Sequence, residues 1–530
     1  MNKPRNSHSL RLGAYSASGV LAISGLLILT GCEVGPNFHR PAQHLPGTFS
    51  PSAMRAHGSA REYGGPHSST HTPAKHGMVS LVIAAKPVHL ARWWRTFHDP
   101  VLNKLILLAA ARNLTLAQAR QAIIQAREVV RSTAANLGPF VSAAGSYSHS
   151  RGSKNMIVGH TSTGPSEADS YNAGLDGTWE LDFFGQVRRG IQAAKASLHE
   201  AIDNRRVILI TLLSEVASDY INLRGVQAQM AITQSNLRTQ ENTVRLLKKQ
   251  VGGGISTELS VAQAKAQAAT TAGQLPLLDA QAKQLTYAIA VLLSKPPGSL
   301  DKWLDTPKPI PPVPPTVPIG LPGQLLLRRP DVRVALDQYA AAVANVGVAE
   351  GNLFPKFTIS ANLGYSSASA EQWFNTASLA YGIGPSVSWS ILNWGQVASQ
   401  IGQQKAVAFQ ALYNYRQTVL QALEDVDTAL ATYTREQAHY RALAIAVTQD
   451  QRALTISDEL YRNGLTDFLN VLTAQQSLYS TQDALIQSQQ AVSADLVTLY
   501  QALGGGWQSS RPQDTANRQQ LDGRSTQKGG

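Results

Sequence analysis

What this 530-residue chain has little of narrows its class at once. It holds one cysteine, Cys32, so no intrachain disulfide can form. Charged residues make up 15%, against about 25% in ordinary soluble domains. No apolar run reaches the roughly 18 residues that a membrane-spanning helix needs, and the nearest approach, Gly19 to Leu29, is too short. A mean hydropathy of −0.14 with 43% hydrophobic residues excludes both a disordered chain and a polytopic helical membrane protein. Signatures of common enzyme chemistry are also missing: there is no Gly-x-Ser-x-Gly elbow, no P-loop and no His-Glu-x-x-His. No catalytic, cofactor or metal site is therefore expected. The formal charge of +12 would suit nucleic acid, but no cluster of five or more Lys/Arg appears and nucleic acid is not an expected partner.

The N-terminus explains the lone cysteine. Lys3, Arg5 and Arg11 precede the apolar stretch, which runs into Leu29-Thr30-Gly31-Cys32, the layout of a signal peptide with charged and apolar regions. The junction resembles a bacterial lipobox, which implies cleavage after residue 31 and acylation of the Cys32 sulfur. Glu33, rather than the aspartate that retains lipoproteins in the inner membrane, implies sorting to the outer membrane. Residues 1–31 carry three positive charges and no acid, so their removal takes +12 to +9. Residues 32–92 read as a lipidated N-terminal segment and flexible linker. His39, His44, His57, His67, His71, His76, His89 and His98 crowd residues 39–98, with spacings that fit no defined metal site.

Beyond the linker the chain repeats itself. Tyr171, Trp179, Gly185-Gln186-Val187 and Gly254 match Tyr381, Trp389, Gly395-Gln396-Val397 and Gly464 at an offset of 210 residues. The expected boundaries are a first repeat at 93–294, a proline-rich connector at 295–322, a second repeat at 323–503 and a disordered tail at 504–530. Between each Gly-Gln-Val and its glycine turn lies a long proline-free segment. In the first, Leu209, Val216, Leu223, Met230, Leu237, Val244 and Val251 recur every seven residues, and Val419, Val426, Tyr433, Tyr440, Val447, Leu454 and Tyr461 do so in the second. Seven heptads at a period of 3.5 predict long supercoiled helices; Gln186 to Val251 alone would extend about 99 Å. Shorter helices, Thr257 to Leu292 and Thr466 to Leu503, should return antiparallel to them. A helix from Val101 to Asn136 precedes the first strand pair, its counterpart starting near Asp331, and the connector reads as polyproline II with a helical turn around Trp303.

Four segments switch to a period of two. In Ala173 to Phe183 the apolar Ala173, Leu175, Trp179, Leu181 and Phe183 alternate with Asp176, Thr178, Glu180 and Asp182. Phe357 to Ser366, Tyr381 to Ile391 and, more weakly, Phe140 to Ser150 follow the same rule. Segments of about 10 residues, apolar outside and polar inside, match transmembrane β-barrel strands and put Asp176, Glu180 and Asp182 on a barrel lumen. Four strands leave two open edges, which lipid does not tolerate, so closure needs several chains. Two chains give eight strands, whose interior side chains fill. Three give twelve and a bore about 24 Å across, from ~4.8 Å strand spacing and ~40° tilt. Only the trimer leaves an aqueous duct.

The chain resembles the TolC/OprM-type outer membrane efflux factors, in their NodT-like lipoprotein branch. The match rests on Cys32-Glu33-Val34-Gly35-Pro36-Asn37-Phe38 with Pro41, on Trp93-Trp94, Phe97 and Asp99-Pro100, and on Trp179-Glu180-Leu181-Asp182-Phe183-Phe184-Gly185. It continues in Arg328-Arg329-Pro330-Asp331-Val332 and in Tyr415-Arg416-Gln417-Thr418-Val419 with Glu424-Asp425-Val426. The resemblance implies an α+β membrane protein: a homotrimer with a twelve-stranded β-barrel in the outer membrane, continued by a twelve-helix periplasmic α-barrel. It also implies a periplasmic adaptor (membrane fusion protein) and an inner-membrane RND-type pump as partners, with drugs or small toxic molecules as cargo. The alternatives are the exit duct of a type I protein secretion system, a structural coiled-coil lipoprotein and a lipid-anchored wall hydrolase. The family's periplasmic aperture carries an aspartate ring shortly after the second glycine turn. Here those positions hold Asn470 and Thr473, with Asp467 one turn earlier and Tyr461 before the turn. The tips Gly252, Gly253, Gly254 and Gly464 are the expected adaptor-docking points.

Overall fold

A computed structural model describes residues 33–42, 45–50, 80–83, 90–153, 167–314, 316–319, 322–323 and 328–510. The signal peptide, Cys32, the linker histidines 44, 57, 67, 71, 76 and 89, and the tail beyond Ser510 lie outside the described residues. The chain divides into two compact units, and these are not the two repeats. The first takes Met1–Arg40, Ile124–His199 and Asp337–Tyr413, and the second Pro41–Ile123, Glu200–Leu336 and Asn414–Gly530. Each unit draws on both repeats because strands pair, and helices pack, across the duplication.

The first unit is built on a four-stranded antiparallel sheet of β2 (Phe140–Arg151), β3 (Glu167–Leu181), β5 (Lys356–Ser367) and β6 (Leu379–Ser388) in the order β2-β3-β5-β6. The central pair joins the repeats, with Tyr171 opposite Ser367 and Leu181 opposite Phe357. Among the described residues β2 and β6 are each hydrogen-bonded on one side only. Pro139 and Pro355 stand just before β2 and β5, where a helix cannot continue through them. At the other end Gly185 (φ +79°) and Gly395 (φ +80°) turn the chain from strand into helix in a conformation that side chains with a Cβ avoid.

The second unit is helical. α3 (Gln186–Gly252) and α7 (Gln396–Arg462) are each 67 residues long, their parts before Glu200 and Asn414 belonging to the first unit, and α4 (Glu258–Leu292) and α8 (Phe468–Ala502) are each 35. All four starts and ends repeat at the offset of 210. The core holds Leu209, Val216, Leu223 and Val426 from the heptad positions, with Tyr220, Tyr433 and Tyr500, and with Trp93, Trp94 and Phe97 of a 3₁₀ turn. Trp93 stacks on Tyr500 at 5.3 Å. Burying an aromatic side chain of this size stabilises by about 1.5–3 kcal/mol. None of the helices among the described residues is long and apolar enough to cross a membrane.

Three local expectations need correction. The helix expected from Val101 to Asn136, whose counterpart near Asp331 is α6 (Pro330–Gly351), is two, α1 (Pro100–Arg112) and α2 (Leu114–Ala135). Asn113 interrupts it: its Oδ1 accepts from the Leu116 amide at 3.0 Å and its Nδ2 donates to the Leu292 carbonyl at 3.0 Å, so its amide satisfies orphan groups at two helix ends. The linker and connector are not wholly free of strand pairing. β1 (Ser80–Ile83) and β4 (Thr316–Ile319) pair in parallel, driven by the complete burial of Val317 and Ile319. The helical turn expected around Trp303 is present as α5 (Asp301–Leu304), fastened by the buried Arg224, whose Nη1 donates to the Thr306 carbonyl at 2.9 Å and the Leu304 carbonyl at 3.2 Å. Finally, the start of the tail is ordered. Trp507 opens a 3₁₀ turn, donates to the Arg328 carbonyl at 3.0 Å and lies under the guanidiniums of Arg206 and Arg333.

Candidate functional site

The sheet presents two chemically distinct faces. Cross-strand register sets Ala143, Leu175, Leu363 and Tyr381 in one row and Gly177, Ala361 and Ile383 with Val141 in the next. Leu175, Leu363, Tyr381, Ile383 and Val141 are all exposed. The opposite face carries Ser142, Asp176, Asn362 and Gly382 in one row and Glu180, Thr358 and Ser386 in another. Phe140, at the start of β2, is an exposed apolar exception on the polar face. A sheet with one apolar and one polar surface fits lipid on one side and water on the other. Near one end of the apolar face the indole N–H of Trp179 donates to the Leu137 carbonyl at 2.8 Å, and that of Trp389 to the Leu353 carbonyl at 3.0 Å. Such a ring, apolar in body and polar at one tip, suits a membrane boundary.

Asp176 and Glu180 lie on the polar face, Glu180 with its Oε1 3.9 Å from the Lys356 ammonium. Asp182 does not join them. The strand ends at Leu181, and the Asp182 carboxylate turns onto the start of α3, where Oδ1 accepts from the Val187 amide at 3.1 Å and Oδ2 from the Arg188 amide at 2.9 Å and the Arg188 Nε at 3.2 Å. Orphan amides at a helix start attract a carboxylate more strongly than an open polar face does.

In the second unit each long helix ends in the same turn. The Ile255 amide reaches back to the Gln250 carbonyl at 2.8 Å and the Gly254 amide to Val251 at 3.0 Å. At the offset of 210, Leu465 reaches Leu460 at 2.9 Å and Gly464 reaches Tyr461 at 3.0 Å. Both are Schellman closures around a left-handed glycine, Gly254 at φ +75° and Gly464 at φ +70°. Among the described residues nothing but its chain neighbours comes within 4 Å of where a Cβ would stand on either glycine, so these tips are open surface. Gly252 closes α3 and Gly253 follows it in the turn.

Tyr461 connects the two tips. Its hydroxyl donates to Gln250 Oε1 at 3.1 Å, while its ring meets Phe468 edge-on at 5.7 Å and borders a cluster of Leu247, Val261, Ala264, Phe468, Val471 and Leu472. Past the second turn, Asp467 precedes α8 without a side-chain capping bond. Asn470 Nδ2 donates to Thr466 Oγ1 at 2.5 Å and Thr473 Oγ1 to the Leu469 carbonyl at 2.9 Å. Asp467, Asn470 and Thr473 are all exposed and follow one another at the three-residue spacing of neighbours on a helix surface.

Sequence reasoning missed Gln250, the acceptor for Tyr461, and missed Arg189 altogether. Arg189 is almost fully enclosed, its side chain 3% exposed, and it binds the segment that follows the cysteine. A signal for it was present. Arg188-Arg189 follow Gly-Gln-Val in the first repeat, where the second has Ala398-Ser399. Among the histidines, His98 adopts φ +50° to end the 3₁₀ turn of Trp93–Phe97. Among the described residues no group of three or more His, Cys, Asp and Glu comes together to hold a metal ion.

Comparison with known proteins bears on what these elements do. The model of the outer membrane efflux protein family matches residues 105–294 and 321–505. Pyoverdine export outer membrane protein OpmQ of Pseudomonas aeruginosa is 33% identical over 435 residues, covering 80% of this chain and 89% of its own. Nodulation protein T of Rhizobium leguminosarum bv. trifolii is 28% identical over 481 residues, covering 91% and 96%. The solved outer-membrane channel OprN superposes with a TM-score of 0.78 at 31% identity, over 90% of this chain and all of its own. With a family model spanning both repeats and a channel of the same fold aligned along its whole length, this chain belongs to the outer membrane efflux protein family and is an outer-membrane efflux channel.

Proposed function

We propose that three copies of this chain close into one passive exit duct, which carries small molecules outward from an inner-membrane pump handed on by a periplasmic adaptor. The observation that carries the reading is the sheet with two unpaired edges. β2 and β6 each offer a free row of backbone donors and acceptors next to exposed Tyr381, Ile383 and Val387, and lipid supplies no partner for them. A neighbouring copy does, if its β2 pairs with this β6. Such a contact is head-to-tail, and three repetitions of it close a ring. The polar rows with Asp176 and Glu180 then line the bore.

The remaining parts follow from the helices. The open glycine tips suit docking of an adaptor's helical hairpins, because small residues allow close backbone approach. Tyr461, Asp467, Asn470 and Thr473 would border the periplasmic aperture, with the Tyr461–Gln250 bond holding the tips of the two hairpins together. Cys32 would carry the lipid. Small molecules are preferred over proteins as cargo because relatives are named for export of pyoverdine, cations and solvents. Those cargoes share little chemistry, as suits a duct that selects weakly.

Native mass spectrometry in mild detergent together with planar-bilayer recording tests this reading. A mass of three chains and discrete ohmic single-channel openings are expected. A single-chain mass, or trimers that conduct nothing after an adaptor is added, would overturn it.

A further inference from the structure

The first unit binds the chain's own N-terminal segment through a built site. Arg189 donates from Nε to the Val34 carbonyl at 2.9 Å, and from Nη2 to the Gly35 carbonyl at 3.0 Å and to Asn37 Oδ1 at 2.9 Å. Its Nη1 donates to Gln192 Oε1 at 2.9 Å, and Gln192 Nε2 in turn donates to Glu33 Oε1 at 2.7 Å. The Val34 amide donates to the Phe184 carbonyl at 3.1 Å. Gly35 sits at φ +93°, and a Cβ there would stand 2.4 Å from the Gly347 Cα. Phe38 closes the segment edge-on against Tyr339 at 5.6 Å. A planar guanidinium with five donors in a fixed fork is the side chain suited to reading two carbonyls and an amide oxygen at once.

The internal repeat shows that this apparatus is not needed to make the corner. At the second strand-to-helix junction the glycine has the same φ within 1°, yet Arg189 is replaced by Ser399 and Gln192 by Gly402. Gly395 has nothing within 4 Å of its Cβ position, whereas a Cβ on Gly185 would meet the Glu33 Cα at 3.0 Å. Equal turns with unequal chemistry separate the two roles: glycine makes the turn, and the arginine serves the segment lying on it.

We propose that Arg189 is the positioning residue for the lipid anchor. It docks Glu33–Asn37 on the corner directly after β3, so that the acylated residue is held at the rim of the membrane wall instead of on a free tether. The inference rests on the reading of Cys32 as lipidated. Glu33 is the next residue in the chain, one Cα step of about 3.8 Å away, and its own backbone lies against Gly185, four residues beyond the end of β3. An anchor fixed there enters the bilayer at the depth at which the apolar sheet face ends, and the ordering cost is met once, by the folded corner, before insertion.

The test uses the full-length protein purified from outer membranes into nanodiscs. Palmitate labelling of wild type and Cys32→Ser reads lipidation. Hydrogen–deuterium exchange of residues 33–38 and, separately, of the corner 182–187 reads docking. In Arg189→Ala we expect exchange over 33–38 to rise at least tenfold with the corner unchanged, because Asp182 still caps the Val187 and Arg188 amides. Ser399→Ala should change neither region. Gly35→Ala, which leaves Arg189 intact but meets the Gly347 backbone, should loosen 33–38 alone, and it serves if the arginine variant does not fold. Unchanged protection over 33–38 in both variants, or loosening of strap and corner together, would overturn the docking role. Wild type that takes up no palmitate would overturn the lipoprotein reading instead, and exchange over 33–38 would still report on docking.

Discussion

Replacing Tyr461 by Phe isolates a single hydrogen bond at the tips. The phenyl ring keeps its place beside Phe468 and the Leu247–Leu472 cluster, so packing is preserved while the 3.1 Å bond to Gln250 is lost. A neutral bond of this kind contributes about 0.5–1.5 kcal/mol, and its half-buried setting argues for the lower part, ~0.5–1 kcal/mol. If opening breaks all three copies together in a trimer, the closed state loses ~1.5–3 kcal/mol, an increase of about 10- to 150-fold in the opening equilibrium. Planar-bilayer recording measures this as open-state occupancy. The double variant Tyr461→Phe/Gln250→Ala should open no further than the single one, since both remove the same bond. Unchanged occupancy in Tyr461→Phe would show that Tyr461 serves packing alone. Additive effects in the double variant would show that the two residues act apart.

Three further outcomes are expected. Asn470→Asp with Thr473→Asp should create strong divalent block from the periplasmic side, because carboxylates crowded in a constriction reinforce one another's field; potent block in the wild type would instead assign the ring to Asp467. Gly464→Asp places a charge at an open left-handed position and should abolish adaptor crosslinking and efflux while trimers persist, so retained crosslinking would remove the tips from the docking surface. Burial, with the Glu215 charge behind it, pushes Asp219 up to about 6, and burial with the Glu436 charge pushes Asp495 up to about 6. Folded-state values above the unfolded one mean that these groups favour the fold increasingly as pH falls from above 6 toward 4, and lose that contribution as pH rises through 6. Melting temperature should therefore drop less between pH 5 and 7.5 in Asp219→Asn/Asp495→Asn than in wild type, and an equal drop would refute the assignment.

The parts of the fold legible in the sequence are those governed by periodicity and by glycine. α3 was expected to end at Val251 and ends at Gly252, because seven heptads and a left-handed turn leave little freedom. The strands showed their alternation but not their limits. That is why Asp182 was assigned to a face: a period of two says nothing about where pairing stops and a helix start begins to compete for the carboxylate. Asn113 was hidden for a related reason, since an asparagine in a helical pattern looks the same whether it faces solvent or bridges two helix ends. β1 and β4 are four residues each and more than 230 positions apart, too short for a period and too distant for a local turn signal. Arg189 stood out only as a departure from the repeat, and its role was hidden because two of its four hydrogen-bond partners are backbone carbonyls, which carry no sequence signature.

The pairing of β3 with β5 governs the order in which the molecule can be made. Tyr171 and Ser367 face each other across 196 residues of chain, so neither central strand finds its neighbour until the second half has been synthesised and exported. Until then the first half can form only the β2–β3 hairpin, and two strands alone are marginal in water. Pairing over such a distance is slow because loop closure precedes any reward from contact. The helices, whose hydrogen bonds are local, have no such delay. Until the second half arrives, the apolar rows of β2 and β3 and the free β3 edge stand open in the periplasm. That interval is when the newly exported chain is most prone to aggregation and most dependent on a holdase.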